Sequence, residues 1–307
     1  MNTGLGITAI FFWSSTVAFA RSLSEQIGPF TTASLIYLTG GIVGSVALLV
    51  VPRLRRNLRN LRWRYLLVCG SLFVIYMVAL YVGLGTALNR SQAIEVGLLN
   101  YLWPMLTLLF SIPILKMRAN LYLAPGVVTA MIGIFLVTNQ NQAITWESFQ
   151  RNLSVNWLPY MLGILAAVSW GLYSVLSKKL GEGAGSGAVP FFMLATGLLL
   201  GLLRFLFPER SVFTDHTLVE LLFMSIFPNV AYILWEMAMR KGNIVLVASF
   251  SYFTPFLSTM ISVLYLGVPV RLELWLGCGL IFSGAVLCNF AIKQPLSGAE
   301  IKSLQEA

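Results

Sequence analysis

Two stretches decide the fold of this chain: residues 87–104, ALNRSQAIEVGLLNYLWP, and residues 238–255, AMRKGNIVLVASFSYFTP. A shift of 151 positions places the first stretch on the second. The matched pairs are Ala87 with Ala238, Arg90 with Lys241, Gln92 with Asn243, Tyr101 with Tyr252, and Pro104 with Pro255. Pairs that keep their order in this way indicate an internal repeat.

The repeat extends beyond these two stretches and covers most of the chain. The further pairs are Gly126 with Gly277, Gly133 with Gly284 and, in a second register near 157, Trp13 with Trp170. A loop of different length in the two halves is enough to explain the change of register. The two halves are therefore expected to fold alike.

The composition places the chain in a membrane. Of its 307 residues, 58% are hydrophobic and 10% are charged, and the mean hydropathy is +0.82. A soluble domain is about 45–50% apolar and about 25% charged. These values exclude an ordinary soluble enzyme and a disordered chain, because a surface this apolar must be covered by lipid.

Ten apolar segments are long enough, or nearly long enough, to span a bilayer. They are residues 3–20, 30–51, 65–88, 92–115, 121–138, 158–177, 189–207, 217–239, 243–266 and 271–292. Five segments fall in each half, and because five is odd, the second half enters the membrane from the opposite side. We predict an all-α integral membrane protein with ten transmembrane helices in a five-plus-five inverted repeat. The first repeat is residues 1–150, and the second is residues 151–307 with a C-terminal tail.

The charge distribution predicts the orientation of the chain. The net charge is +9, and 14 of the 20 Lys and Arg residues lie on the side that holds both termini. Six of these are Arg residues between positions 53 and 64. Basic loops face the cytoplasm, so we predict an inner-membrane protein with cytoplasmic termini, and no nucleic acid as partner.

The sequence gives no sign of a cofactor, a metal site or a catalytic set. The three cysteines lie in apolar segments, and the only histidine, His216, lies in a polar loop. No phosphate-binding glycine loop and no paired histidines are present. An inverted repeat is instead common in secondary transporters, which hold their substrate near the midplane between the halves.

Two acids, Glu95 and Glu236, stand inside predicted spans. A carboxylate in lipid is costly, so each is expected to face a cavity or a partner. At about 100° per residue, Glu95 and Trp103 lie on one side of the fourth predicted helix, with Asn100 at its edge. For both acids a structural hydrogen bond near a helix end remains the alternative.

Aromatic residues and prolines complete the candidate site. Deep in the spans lie the candidate substrate-binding rings Trp13, Tyr76, Trp103, Trp170, Tyr173, Trp235 and Tyr252. Together they predict a wall for a flat, apolar substrate with a polar end. Pro104 and Pro255 each free the carbonyl four residues earlier, so this matched pair predicts a bend in each half. Packing between helices is the alternative for the rings.

Two of these motifs resemble those of a known family. Residues 92–104, QAIEVGLLNYLWP, resemble the fourth-helix signature of the bacterial aromatic amino acid exporters, and residues 251–255, SYFTP, resemble their ninth-helix signature. These exporters belong to the ten-helix, EamA-type branch of the drug/metabolite transporter superfamily. The resemblance runs from about residue 5 to residue 292.

The resemblance implies export of phenylalanine, tyrosine, tryptophan and similar apolar amines by alternating access. It also implies a central cavity lined by helices 1, 3, 4, 6, 8 and 9, with Glu95, Asn100 and Trp103 among the substrate-binding residues. A monomer is sufficient for this function. Three alternatives stay open: an exporter of drugs, an exporter of other small metabolites, and, more remotely, a membrane enzyme or sensor. The coupling stays open between proton antiport through Glu95 and simple equilibration of the substrate.

Overall fold

The computed structural model describes residues 2–55, 61–139, 144–181, 187–266 and 272–293. Its helices are α1 (Asn2–Ile27), α2 (Pro29–Val50), α3 (Pro52–Arg55), α4 (Trp63–Gly85), α5 (Arg90–Asn100), α6 (Trp103–Leu115), α7 (Leu123–Thr138), α8 (Trp146–Val155), α9 (Leu158–Gly181), α10 (Val189–Leu206), α11 (Asp215–Lys241), α12 (Ile244–Phe250), α13 (Thr254–Leu266) and α14 (Leu272–Ala291). Two short strands, β1 (Arg118–Ala119) and β2 (Ile292–Lys293), pair antiparallel.

The described residues form the helical membrane protein that the sequence predicts. Eight helical stretches in this part of the chain are long and apolar enough to cross a bilayer, and α7 is a shorter apolar helix. The 26 residues of α1 extend about 39 Å at 1.5 Å per residue, which also exceeds the hydrocarbon core. Together these account for the ten predicted segments.

The fourth and ninth predicted spans are each interrupted at matched positions. In the fourth, α5 ends at Asn100 and α6 begins at Trp103. In the ninth, a single turn of 3-10 helix, Ser251–Phe253, separates α12 from α13. Pro104 and Pro255 therefore stand in the first turn of a new helix, where no backbone donor is needed. Neither proline stands in the interior of a helix, and the bend predicted at each of them stays a prediction.

Helices from the two halves pack in pairs that mirror each other. The second helix of each half meets its counterpart, α2 against α10, and so does the fifth, α7 against α14. The contact of α1 with α11 has its counterpart in the contact of α9 with α4, and α6 lies on α9 as α13 lies on α1. Each contact thus recurs five spans later, as an inverted repeat requires.

Repeat-matched glycines bring the last helices of the halves together. A Cβ on Gly133 would lie 2.7 Å from the carbonyl oxygen of Gly277, and one on Gly284 would lie 2.5 Å from the backbone nitrogen of Ala130. Such small residues let helix backbones approach closely in membranes. The glycine pairs found in the sequence are therefore the contact surface between α7 and α14.

The connection between the fifth and sixth predicted spans contains the amphipathic helix α8. It starts with a capping box, in which Thr145 and Ser148 satisfy each other's backbone donors. Trp146, at its start, is 70% exposed, as suits an interfacial side chain.

Three predicted features fall on residues outside the described ranges. They are part of the arginine-rich segment 53–64 (residues 56–60), most of the glycine-rich stretch 181–187, GEGAGSG, which is typical of a flexible linker (residues 182–186), and the C-terminal tail (residues 294–307). The division into repeats at residue 150 stays a prediction. The described helix ends define two faces: an N-terminal face, which carries the start of α1 and the ends of α9 and α11, and an opposite face, which carries α8.

Candidate functional site

A cluster of aromatic rings fills the centre of the bundle, and Trp170 of α9 lies in its middle. The ring of Trp170 is 4.6 Å from that of Tyr76 and 5.0 Å from that of Tyr173, between ring centres. Trp13, its repeat partner, meets it edge-on at 5.7 Å. Helices from both halves therefore contribute to one continuous aromatic surface.

Trp103 and Trp235 close the cluster from two further helices. Trp103 at the start of α6 lies edge-on to Trp235 at 5.3 Å and to Trp170 at 6.4 Å. Trp235 is also 5.3 Å from Trp13. These distances show that all four deep tryptophans predicted from the sequence meet in one place. Three of them are nearly fully buried, since Trp103, Trp170 and Trp235 are at most 5% exposed.

Three residues outside the set of rings predicted from the sequence also belong to this ring cluster. The ring of Tyr232 lies 5.2 Å from Trp13, and Phe73 lies 5.6 Å from Tyr173. The Tyr37 hydroxyl forms a hydrogen bond of 2.9 Å with the Tyr232 hydroxyl. A signal existed for two of them, since Tyr232 precedes Trp235 by three positions and Phe73 precedes Tyr76 by three.

Several polar atoms in and beside this cluster lack a partner. Trp235 donates its indole N–H to the Ser174 hydroxyl at 3.2 Å. In contrast, Trp13 Nε1, the Tyr173 hydroxyl and Asn100 Oδ1 are buried without a hydrogen bond to any described residue. An unpaired buried polar group costs about 1–3 kcal/mol. Such groups are expected where a polar ligand completes the site.

Tyr252 is the predicted ring that the structure does not bring into the cluster. It is fully buried in the 3-10 turn between α12 and α13. Its hydroxyl has no hydrogen-bond partner among the described residues, and the thiol of Cys288 in α14 lies within electrostatic range. Tyr252 therefore packs towards the pair formed by α7 and α14, and away from Trp170.

Glu95 belongs to a different network, on the opposite face of the protein. Its carboxylate accepts hydrogen bonds from Ser91 at 3.1 Å, from Asn152 of α8 at 3.2 Å, and from the Tyr160 hydroxyl. Gln92 reinforces this contact by donating to the carbonyl of Asn156 at 2.7 Å. The acid therefore fastens α5 to α8 and to the start of α9.

The surroundings of Glu95 confirm that it is separate from the ring cluster. It borders a groove of about 260 Å³ whose apolar walls include Leu99, Phe135 and Trp146. No ring of the cluster lines this groove. The helical face that Glu95 was predicted to share with Trp103 also ends at Asn100, where α5 stops. The structure thus supports the structural alternative for Glu95.

Glu236 lies at the N-terminal face in a compact cluster. Arg240 forms an ion pair of 3.0 Å with it and donates to the carbonyl of Gly181 at 2.5 Å. The Tyr65 hydroxyl donates to the same carboxylate, and the guanidinium lies 5.5 Å from the centre of the Tyr65 ring. We call Tyr65, Gly181, Glu236 and Arg240 the Glu236 cluster. It joins the ends of α4, α9 and α11.

A third buried acid, Glu220, was overlooked in the sequence although it stands inside the predicted span 217–239. It is 3% exposed and accepts hydrogen bonds from Ser22 at 3.0 Å and Gln26 at 2.9 Å. His216, one turn earlier, lies 3.7 Å from its carboxylate. This network holds the end of α1 against the start of α11.

Comparison with known proteins gives one consistent result. The EamA-like transporter family matches residues 3–139 and again residues 157–290, once in each half. The chain is 31% identical over 95% of its length to the aromatic amino acid exporter YddG of Escherichia coli K12, and 32% identical to YddG of Salmonella typhimurium 14028s. It covers 98% of each relative.

A solved protein structure agrees with this relationship at the level of the fold. It superposes with a TM-score of 0.79 at 27% identity, over 94% of this chain and 97% of its own. The twofold match of the family, the similarity over the whole length and the helical membrane fold lead to one conclusion: this chain belongs to the EamA-like transporter family, within the drug/metabolite transporter superfamily.

Proposed function

We propose that this protein exports phenylalanine, tyrosine and tryptophan, and similar apolar amines, from the cytoplasm across the inner membrane. One observation carries the proposal. A cluster of tryptophan and tyrosine rings from both halves lies at the centre of the bundle, and it contains or adjoins buried polar atoms without partners. The rings of the protein can pack against the aromatic side chain of the substrate. The unpaired polar atoms can form hydrogen bonds with the charged ammonium and carboxylate groups of the substrate.

In this proposal the substrate ring stacks among Trp103, Trp170 and Trp13. Asn100, which contacts the Tyr76 hydroxyl, offers an unpaired oxygen to the substrate ammonium group. Tyr173 and the Trp13 indole offer donors to the carboxylate. Glu95 is left out of the binding set, because neutral donors already occupy its carboxylate.

Alternating access follows from the repeat. The interruptions before Pro104 and Pro255 give the fourth and ninth spans matched flexible points. We propose that the halves rock about these points around the ring cluster, as expected for inverted-repeat transporters. The excess of Lys and Arg on the side of the termini supports a cytoplasmic location for the N-terminal face.

Counterflow in proteoliposomes tests the substrate class. Vesicles loaded with unlabelled phenylalanine are expected to accumulate labelled phenylalanine, and excess tyrosine or tryptophan is expected to abolish the signal. A cationic drug and an aliphatic amino acid serve as competitors. Counterflow of a labelled cationic drug, without counterflow of phenylalanine, would favour a multidrug exporter and contradict the proposal.

A further inference from the structure

We infer that Glu236 and Arg240 form a gate at the cytoplasmic end of the substrate path, and that this gate selects substrates carrying both an ammonium and a carboxylate group. The inference rests on the proposed function for its direction and its amino acid substrates, and it narrows that proposal, because simple apolar amines would pass at least about tenfold more slowly than the amino acids. It assigns a role to an ion pair that the ring site does not use.

The Glu236 cluster closes the N-terminal face of the bundle. The side chains of Glu236 and Arg240 are 1% and 6% exposed, and they are 3.0 Å apart. Arg240 reaches across to the carbonyl of Gly181 at the end of α9, and Glu236 receives the hydroxyl of Tyr65 from α4. Opening this face requires α4, α9 and α11 to separate, so these contacts must break first.

The cluster adjoins the substrate site directly. Glu236 follows Trp235, which is packed among the central rings. Tyr173 lies within electrostatic range of both Glu236 and Arg240, and its buried hydroxyl lacks a described partner. A polar group that passes from the gate to the rings therefore meets an unpaired hydroxyl on its way.

Charge explains the selectivity. Separating a buried ion pair is strongly unfavourable when either charge is left without a partner. A zwitterionic amino acid supplies both partners, because its ammonium can bind Glu236 while its carboxylate binds Arg240 in a bidentate manner. One internal ion pair is exchanged for two intermolecular ones, and the net charge does not change. An amine or a carboxylic acid can replace only one of the two.

The buried acids of the opposite face differ from Glu236 in the groups that surround their carboxylates. Glu95 is held by neutral hydroxyl and amide donors, and Glu220 by a serine, a glutamine and an exposed histidine. Among the described ion pairs between a carboxylate and an arginine, the other one includes Arg204, whose side chain is 33% exposed. The Glu236 cluster, by contrast, joins two deeply buried opposite charges.

The thiol of Cys69 provides a direct measurement of gate opening. Cys69 is fully buried one turn after Tyr65, within electrostatic range of Glu236 and Arg240. In a C278A/C288A background, we expect maleimide to label Cys69 slowly without substrate. Phenylalanine is expected to raise the labelling rate at least about tenfold, a shift of about 1.4 kcal/mol, whereas phenethylamine and 3-phenylpropionate are expected to leave it unchanged.

A pair of variants tests the residues themselves. The double variant E236Q/R240Q removes both charges, and we expect it to label rapidly without any substrate. The variant E220Q, also buried on α11 but at the other face, should label as slowly as the parent. Equal rates in E236Q/R240Q and the parent, or equal acceleration of the parent by phenylalanine and phenethylamine, would overturn the gate.

Transport separates failure of the gate from failure of the proposed function. The parent is expected to exchange phenylalanine at least about tenfold faster than either analogue, and E236Q/R240Q is expected to reduce that ratio. Phenylalanine exchange with equally fast exchange of both analogues would refute the gate and leave the exporter in place. An absence of phenylalanine exchange, with Cys69 labelling still insensitive to phenylalanine, would refute both.

Discussion

Two indoles at the centre of the bundle show how one residue type serves two purposes. Trp235 has a hydrogen-bond partner within the protein, the hydroxyl of Ser174, whereas the N–H of Trp13 is buried without a partner among the described residues. The indole N–H of Trp235 is already hydrogen-bonded within the protein, and this bond fixes the packing of α11 on α9. In the proposed site, the indole N–H of Trp13 and the hydroxyl of Tyr173 donate to the substrate. The distinction depends on single hydrogen bonds, so the tests at this scale are single substitutions.

Replacing Trp103 by alanine tests the ring cluster. The change removes stacking and apolar burial worth roughly 1.5–3 kcal/mol, so we expect phenylalanine to bind about ten- to a hundredfold more weakly. Binding to the purified protein measures this effect. Trp275→Ala, at a ring that is 56% exposed, is the matched control and should be nearly neutral. Equal phenylalanine affinity in Trp103→Ala and the parent would remove Trp103 from the site.

Replacing Glu95 by glutamine tests the separation of its network from the site. The amide leaves at least one of the donors around it unmatched, so we expect a loss of about 1–3 kcal/mol in stability with an unchanged phenylalanine affinity. The Tm of the purified protein and its binding isotherm measure the two effects. Glu147→Gln, in the exposed first turn of α8, should change neither. Lost affinity at an unchanged Tm would show that Glu95 contacts the substrate.

At the scale of elements, proline and glycine decide how the helices end and meet. Pro104 and Pro255 stand in the first turn of new helices, where the missing N–H removes no helical hydrogen bond. Glycines in α7 and α14 let the backbones come within contact, and a methyl group at these positions would overlap backbone atoms of the neighbouring helix. The close contact between α7 and α14 therefore depends on these glycines.

An alanine at Gly284 tests the close contact between α7 and α14. Its Cβ would lie 2.5 Å from the nitrogen of Ala130, so the helices must separate, at a cost of about 1–3 kcal/mol. Gly279→Ala in the same helix meets nothing within 4 Å and should be neutral or stabilising. Thermal unfolding of the two variants compares them directly. A Tm for Gly284→Ala at or above that of Gly279→Ala would contradict the packing.

At the scale of the whole molecule, the two faces are closed in different ways. The N-terminal face is held by an ion pair with partners on three helices. On the opposite face the buried carboxylates of Glu95 and Glu220 receive mainly neutral donors, and the ion pair of Arg204 with Glu209 is partly exposed. The halves are related by the repeat, yet the residues that close the two mouths are chemically distinct. A transporter that moves its substrate in one direction can use such an asymmetry.

Reporter fusions test the orientation on which this view depends. A fluorescent protein fused after Ala307 should be fluorescent, because most Lys and Arg residues lie on the side of the termini. Alkaline phosphatase inserted after Arg210, in the loop between α10 and α11, should be active. The reverse pattern would place the N-terminal face, and with it the Glu236 cluster, in the periplasm.

The sequence by itself determined the class of protein, the spans, the matched halves and the family, because hydropathy and repeat matches are properties of contiguous residues. It also selected the four deep tryptophans. The structure alone decided which side chains meet. Glu95 and Tyr160 are 65 positions apart, and Tyr37 and Tyr232 are 195 apart, so neither pairing leaves a periodic signal. Whether a buried polar atom is paired depends on helices brought together from both halves, and that depends on how the whole bundle packs.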